Sequence, residues 1–224
     1  MILDSYLTQQ CKDEYFRIYQ WVNPTLSLGV TNNINEINSD YIHDNNIDIV
    51  RRETGGGIVF HNEDLCFSLI TNAHLRPKEN YYLVKNIIEK TLCELGKVIT
   101  ITNNINTKSS ICFNGSNNHE ISIDNKKVIG IAQKLVKNRY LIQGSIQLKS
   151  ITIEHLICDS DSDRKVVQHG LNDIEFNIIK EKIYENYAKI FTLVEIQDND
   201  ILSRREYIEF KQKNKHRFVR KING

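Results

Sequence analysis

The chain has 224 residues, of which 40% are hydrophobic and 25% are charged, and its formal net charge is +1. This length is enough for one large domain with a buried core, and the small net charge points neither toward nor away from a nucleic-acid partner. The sequence contains no uninterrupted apolar run of the roughly 18 residues that a transmembrane helix needs. Its N-terminal segment lacks the apolar stretch of a signal peptide, so we expect a cytoplasmic protein.

The cysteines indicate a reducing compartment. They number five, and none of them forms a CxxC pair of the kind found in thiolate zinc sites. An odd number without regular spacing is not typical of a disulfide framework. We therefore predict neither structural disulfides nor a metal site.

Taken in chain order, short runs rich in β-branched and aromatic residues predict strands, and one long segment predicts a helix. The predicted strands are YFRIYQW (15–21), DIVRR (48–52), GIVFH (57–61), LCFSLIT (65–71) and KVITI (97–101). The segment ENYYLVKNIIEKTLCELG (79–96) has apolar residues at helical spacing, and Gly96 is a suitable end for that helix.

The second half of the chain predicts a hairpin, a further strand and two helices. EISID and KVIGIAQKLV flank Asn125-Lys126, and YLIQGSIQL (140–148) follows another short polar turn. Helices are predicted at about 175–192 and 203–214 from their apolar spacing. Because no linker or repeat divides the chain, we predict one α+β domain over residues 1–224, with a mixed β-sheet and flanking helices.

The segment RRETGGGIVFH (51–61) is a candidate binding loop. Three consecutive glycines permit positive φ angles and a close backbone approach. Exposed N–H groups in such a loop bind phosphate or carbonyl oxygens, and Arg51 or Arg52 offers a guanidinium for an anion. A flexible hairpin with a solvated arginine pair is the alternative. The segment is neither a Walker A loop, which needs GK[ST], nor a dinucleotide fingerprint, since a strand follows it.

A candidate nucleophile, Cys112, precedes a Gly/Asn-rich segment, and Lys127 follows at the start of an apolar strand. An unperturbed thiol has a pKa of about 8.5, so a catalytic cysteine needs a nearby cation to be ionised at neutral pH. Lys127 supplies one if the segment folds back, and His61 and His119 are further candidates. A buried cysteine beside a solvated lysine is the alternative.

Four blocks, in order, resemble the catalytic domain of the lipoate–protein ligase and octanoyltransferase family. They read RIYQWVNPTLSLG, VRRETGGGIVFHNEDLCFSL, CFNGSNNHEISIDNKKVIGIAQ and LIQGSIQL. The resemblance covers residues 15–148 and continues more weakly into the C-terminal helices of 170–217. It implies the mixed-sheet catalytic-domain fold of biotin and lipoate protein ligases, and an enzyme that places an eight-carbon acyl group on a lysine of a lipoyl carrier domain.

Within this family the chain most resembles the cysteine-dependent branch that takes octanoyl from acyl carrier protein. Cys112, Phe113, Ser116 and Glu120 match the CF…S…E segment of that branch. Acyl exchange between thiols is nearly thermoneutral, so this branch requires no cofactor. An ATP- and magnesium-dependent lipoate–protein ligase is the alternative, although ligases typically carry Asn-Asp where this chain has His119-Glu120.

The resemblance also implies roles for individual residues. Cys112 would carry the acyl group as a thioester, and Lys127 would hold its carbonyl and lower the pKa of Cys112. His61 and Gly144 would lie at the rim of a linear acyl slot. One wall of the slot is expected from Arg52, Thr54, Gly55, Gly56, Gly57, Ile58, Val59 and Phe60, and the other from Gly130, Ile131, Ala132 and Gln133.

Three positions bear on how closely the chain follows the family. Asn125 stands where a glycine is common, and asparagine accepts the same left-handed turn. Gln143 replaces a histidine often found before Gly144. Another octanoyltransferase branch has its cysteine near Cys158, but the acidic setting ICDSDSD would raise a thiol pKa there, so we prefer Cys112.

The expected partners are octanoyl-acyl carrier protein and lipoyl domains, namely the glycine cleavage H protein and the E2 subunits of 2-oxoacid dehydrogenases. The segment RREYIEFKQKNKHRFVRK (204–221) holds eight basic and two acidic residues, a face suited to acidic partners. A non-catalytic regulator that binds lipoyl domains or nucleic acid is a third hypothesis, which salt-sensitive retention on nucleic acid would test. We expect neither a membrane nor a nucleic acid as the natural partner.

Overall fold

The computed structural model describes residues 1–100, 121–158 and 166–220, which form an α+β fold. The helices are α1 (Ile2–Gln10), α2 (Ser39–Asp44), α3 (Pro77–Glu94), α4 (Phe176–Ala188), α5 (Asp198–Leu202) and α6 (Arg205–Phe218). The longer strands are β1 (Tyr15–Tyr19), β2 (Thr25–Leu28), β3 (Asp48–Arg51), β4 (Val59–His61), β5 (Asp64–Asn72), β9 (Ile129–Val136) and β10 (Arg139–Gln147). The two-residue strands are β6 (Ile99–Thr100), β7 (Ser122–Ile123), β8 (Lys126–Lys127), β11 (Ile151–Thr152), β12 (Val167–Gln168) and β13 (Val219–Arg220).

The first four-stranded sheet has the order β1-β5-β10-β9 and is antiparallel throughout. Because side chains alternate between the faces of a strand, one face is apolar and the other polar. The apolar face carries Leu65, Phe67 and Ile142, which pack with α3 and α4 in the largest core cluster. The polar face carries Asp64, Ser68, Gln143 and Ser145, and all four side chains are buried.

The second four-stranded sheet has the order β13-β3-β2-β4. β2 and β3 are parallel, and β4 pairs with β2 in the antiparallel sense. Its apolar face carries Leu26, Leu28, Ile58 and Phe60, which pack with Ile42 of α2 in a separate core. The segment between β3 and β4 therefore crosses over β2 and is not a tight hairpin.

The C-terminal helices α5 and α6 pack against α1. Tyr6 and Leu7 of α1 form a third core with Ile201 and Tyr207. The rings of Tyr6 and Tyr207 meet edge to face with centroids 5.3 Å apart. After α6 the chain adds β13 to β3, so the C-terminal segment contacts both α1 and the second sheet.

Most predicted elements are present. Asp124 and Asn125 have φ angles of 51° and 58°, so Asn125 adopts the left-handed turn expected of it. Gly96, after α3, has a φ of 80°, as a helix-ending glycine does. Neither α1 nor β2 was predicted from the sequence. Among the described residues no helix is both long and apolar enough to span a membrane. That residues 1–224 form a single domain stays a prediction.

Replacing Gly144 with alanine tests the packing of the first sheet. An added Cβ would lie 2.1 Å from Cζ of Phe67, a ring with no exposed surface. We expect Gly144→Ala to lower the free energy of unfolding by about 1–3 kcal/mol, the usual cost of overpacking. Urea unfolding measures this change. Gly55→Ala is the control, because its Cβ meets no described atom within 4 Å; equal midpoints for wild type and Gly144→Ala would contradict the packing.

Candidate functional site

The glycine-rich loop, residues 52–57, connects β3 to β4 and lies against the end of β2. The N–H of Arg52 donates to the carbonyl of Leu28 at 2.8 Å, and the N–H of Val30 donates to the carbonyl of Thr54 at 3.0 Å. A Cβ at Gly29 would lie 2.1 Å from the carbonyl oxygen of Gly56, so only glycine permits this approach. Gly56 itself has a φ of 90°, in the region that glycine favours.

Both arginines before the glycines bind backbone carbonyls. Arg51 Nη1 donates to the carbonyls of Gly29 and Asn32 at 2.8 and 2.9 Å. The buried Arg52 donates through Nη2 to the carbonyls of Gly55 and Gly57, at 3.2 and 2.8 Å. The alternative of a hairpin with a solvated arginine pair is therefore wrong, because both guanidinium groups bind backbone carbonyls and β2 lies between β3 and β4.

A buried polar network extends from Arg52 into the protein. Arg52 Nη1 lies 2.6 Å from Ser27 Oγ, which lies 2.6 Å from Nε2 of His61. The other ring nitrogen of His61, Nδ1, lies 2.6 Å from Asp64 Oδ2. Asp64 Oδ2 also accepts hydrogen bonds from Ser145 Oγ at 2.6 Å and from Cys66 Sγ at 3.2 Å.

The arrangement of Ser27, His61 and Asp64 has the connectivity of a catalytic triad, but Ser27 is not placed to act as a nucleophile. Ser27 has no exposed surface, and its Oγ accepts a hydrogen bond from Arg52. A serine nucleophile must instead reach the carbonyl that it attacks. We conclude that these three residues stabilise the loop.

The charge states within this network follow from burial and its partners. Burial opposes ionisation of Asp64, but His61, Ser145 and Cys66 together hold the pKa of Asp64 below its ordinary value. Burial raises the pKa of the Cys66 thiol well above its ordinary value, and Asp64 adds to the effect. His61, Asp64 and Cys66 each have an atom of a type that binds metal ions, and these atoms lie within 4.8 Å of one another. In this structure the three side chains are joined by hydrogen bonds.

A second buried network begins at Thr54. Thr54 Oγ1 donates to Gln143 Oε1 at 2.9 Å, and Gln143 Nε2 donates to Asp4 Oδ2 at 2.8 Å. Asp4 also accepts from Ser68 Oγ at 3.0 Å and pairs with Arg17. Burial opposes the charge on Asp4, but the N-terminal amine, Arg17 and these donors keep its pKa below the ordinary value.

Glu53, between Arg52 and Thr54, binds helix α1. Its carboxylate accepts hydrogen bonds from Ser5 Oγ at 2.6 Å and from Gln9 Nε2 at 3.1 Å, both on α1. Arg217 of α6 lies 3.7 Å away. Three consecutive polar side chains thus fasten the loop to the second sheet, the first sheet and the helices. None of Glu53, Asp4 and Asp64 stands out in the sequence. The partners of Glu53 and Asp4 are distant along the chain, and Asp64 has one distant partner, Ser145, besides its neighbours His61 and Cys66.

The residues predicted to line the acyl slot do not all face the same side in the structure. In β9, Gly130 and Ala132 lie opposite Ser145 and Gln143, on the polar face toward the glycine-rich loop. The side chains of four other predicted wall residues point elsewhere: Ile131 packs against the helix-side core, Gln133 donates to the carbonyl of Pro77, and Ile58 and Phe60 lie in the second core. Gln143 joins the two walls, because it pairs with Ala132 and binds Thr54.

Four further positions complete the comparison with the sequence. His61, expected at the rim of the acyl slot, is buried in the structure. Its two ring nitrogens lie within hydrogen-bond distance of Ser27 and Asp64. Lys127 lies on β8, where it pairs with Ser122, two residues before β9 begins. Cys158 is exposed, and its Sγ lies 3.3 Å from the carbonyl oxygen of Ile37. Cys112 lies outside the described residues, so its role stays a prediction.

Residues 1–175 match the family described as the lipoyl protein ligase A/B catalytic domain. An octanoyltransferase LipM of Bacillus subtilis is 30% identical over 84% of this chain and 67% of its own length. A probable lipoate-protein ligase A of Mycoplasma genitalium is 26% identical over 95% of this chain and 63% of its own. The chain matches between 53% and 67% of the length of the first octanoyltransferases compared.

Among solved structures, the fold is similar to that of a bi-partite lipoate protein ligase from Thermoplasma acidophilum, whose study includes its E2 lipoyl domain. The TM-score is 0.71 at 16% identity, with 95% of this chain and 85% of that chain covered. This likeness supports the ligase-like catalytic-domain fold that the sequence predicts.

Gly55 provides a test of the predicted slot. Its Cβ position has no described atom within 4 Å, whereas Gly56 has a φ of 90° that would strain any side chain. We expect Gly55→Val to fold normally but to weaken binding of an eight-carbon acyl group, because the side chain would enter the open space. Isothermal titration with octanoate or an octanoyl thioester measures the binding. Gly55→Ala should give an intermediate loss, and wild-type affinity in Gly55→Val would refute this wall of the slot.

Proposed function

Because the chain belongs to the lipoyl protein ligase A/B catalytic domain family, we propose that it is an acyltransferase of protein lipoylation. The substrate it transfers is an octanoyl group, or a lipoyl group of the same chain length, and the acceptor is a lysine of a lipoyl carrier domain. The names of its octanoyltransferase relatives support this reaction class.

The structural observation that carries the proposal is the fixed glycine-rich loop beside the small residues of β9. Gly55 borders open space among the described residues, and Gln143 bridges Thr54 to the strand that holds Ala132. An unbranched acyl chain fits a narrow space lined by glycine and alanine. Rigid walls bind such a flexible chain without the further cost of ordering the protein.

We infer that Cys112 carries the acyl group. Its thiolate attacks the carbonyl carbon of the donor thioester, the C–S bond to the donor breaks, and the donor leaves as a thiolate. The neutral amine of the carrier lysine then attacks the new thioester. An amide forms, the Cys112 thiolate leaves, and it takes up the proton that the amine loses. The donor thioester is already activated and the product amide is more stable than a thioester, so neither ATP nor a metal is required.

Lys127 is the proposed electrostatic partner of Cys112. Its ammonium would favour the thiolate over the thiol, and the same charge would stabilise the oxyanion that develops on the carbonyl. Its position just before β9 supports this role, since the small residues of that strand form the proposed slot.

Octanoyl-acyl carrier protein is the proposed donor. The proposed acceptors are the glycine cleavage H protein and the E2 subunits of 2-oxoacid dehydrogenases. Arg205, Lys211 and Lys213 on α6 are exposed, which suits the approach of an acidic carrier.

An ATP-dependent lipoate–protein ligase is the second candidate. The observation in its favour is the relative named as a probable ligase, which matches 95% of this chain. A ligase must first convert the unreactive free carboxylate into an acyl-adenylate. The two candidates therefore differ in their need for ATP.

The requirement for ATP distinguishes the two reactions. With octanoyl-acyl carrier protein, an apo lipoyl domain and no nucleotide, we expect the lipoyl domain to gain one octanoyl group, measured by its intact mass. Cys112→Ser should lose this transfer, because an unactivated hydroxyl is a poor nucleophile. Transfer that appears only with ATP and free lipoate or octanoate, or full transfer by Cys112→Ser, would establish the ligase instead.

Removal of the Lys127 charge should affect both ionisation and transfer. We expect Lys127→Ala to move the pH profile of Cys112 alkylation by iodoacetamide to higher pH, because the thiolate loses its cation. Acylation should slow by about 10²–10³-fold, the usual loss when an oxyanion donor is removed. Lys126→Ala is the matched control, being the neighbouring lysine on β8. An unchanged alkylation profile would contradict the electrostatic role of Lys127.

A further inference from the structure

Two carbonyls of the glycine-rich loop accept hydrogen bonds from the guanidinium of Arg52, which also binds the buried Ser27. Arg52 Nη2 binds the carbonyls of Gly55 and Gly57, on either side of the φ-positive Gly56. In a trans peptide the N–H points opposite to the carbonyl, so this contact directs the amide of Gly56 away from Arg52. The position of the guanidinium therefore fixes the peptide planes of the loop.

The position of the guanidinium depends in turn on a line of short hydrogen bonds. Arg52 Nη1 donates to Ser27 Oγ at 2.6 Å, Ser27 Oγ lies 2.6 Å from His61 Nε2, and His61 Nδ1 lies 2.6 Å from Asp64 Oδ2. Ser27, His61 and Asp64 are each less than 5% exposed, so water does not replace a lost partner easily. A carboxylate can only accept hydrogen bonds, and Asp64 thereby fixes the proton on His61 Nδ1 and the orientation of the ring.

We propose that Asp64 is a positioning residue for acyl binding, acting through His61, Ser27 and Arg52 to set the conformation of the glycine-rich loop. The proposal rests on the function proposed above, in which this loop forms one wall of the acyl slot. Asp64 and Ser27 would then affect the affinity for the acyl donor although both side chains are buried.

Two variants break the line at different links. Asp64→Asn removes the charge that orients His61, and Ser27→Ala disconnects His61 from Arg52 without changing any charge. We expect each to raise the KM for the octanoyl donor by about tenfold, the loss of one hydrogen bond to a charged group, with a much smaller change in kcat. Because both act through one line, the double variant should be no worse than the stronger single variant, whereas independent effects would add.

Hydrogen exchange at the amides of residues 53–58 gives a readout independent of catalysis. Exchange there should be faster in both variants while peptides from α3 keep their protection. Cys66→Ala is the control, because Cys66 contacts Asp64 and His61 Nδ1 but is not one of the links that join Asp64 to Arg52. Wild-type exchange and KM in the variants, or additive effects in the double variant, would overturn the proposal. A wild type that transfers no acyl group while the exchange result holds would reject the proposed function alone.

Discussion

Three consecutive buried side chains, Arg52, Glu53 and Thr54, determine where the glycines that follow them lie. Each binds a different part of the fold: Arg52 the second sheet, Glu53 helix α1, and Thr54 the first sheet. Glycines lose more conformational entropy on folding than other residues, so a glycine-rich loop needs such contacts to adopt one conformation. The anchoring side chains belong to the residues directly before the glycines. The glycines, which have no side chains, can therefore border the proposed acyl slot.

Two of the buried carboxylates, those of Asp4 and Asp64, have a common function. Asp4 and Asp64 both lie on the polar side of the first sheet, and each keeps its charge because several donors surround it. An unpaired buried charge would be strongly destabilising, so each carboxylate fixes the orientation of its partners. Gln143 and His61 are the groups so oriented, and they connect the carboxylates to Thr54 and, through Ser27, to Arg52.

Local patterns in the sequence predicted the local structure well. β-branched and aromatic residues in 65–71, and the polar turn before 140–148, predicted two central strands. The helical spacing of apolar residues in 79–96 predicted α3, because burial on one face leaves a periodic pattern. The three glycines identified the loop because they permit positive φ angles and a close backbone approach. The anchors of the loop were not predictable, since Asp4 and Gln143 are 139 residues apart and nothing in either segment indicates the contact. The contact of His61 with Ser27 was not predictable either, because Ser27 lies on β2, for which no strand was predicted.

The central claim is that the anchored loop holds an acyl chain whose carbonyl is bound covalently to Cys112. The most direct measurement is the intact mass of the protein after incubation with octanoyl-acyl carrier protein alone, without acceptor or ATP. The account predicts a gain of one octanoyl group that peptide mapping assigns to Cys112 and that neutral hydroxylamine removes, as it does a thioester. No gain in mass, or an adduct on another residue, would contradict it.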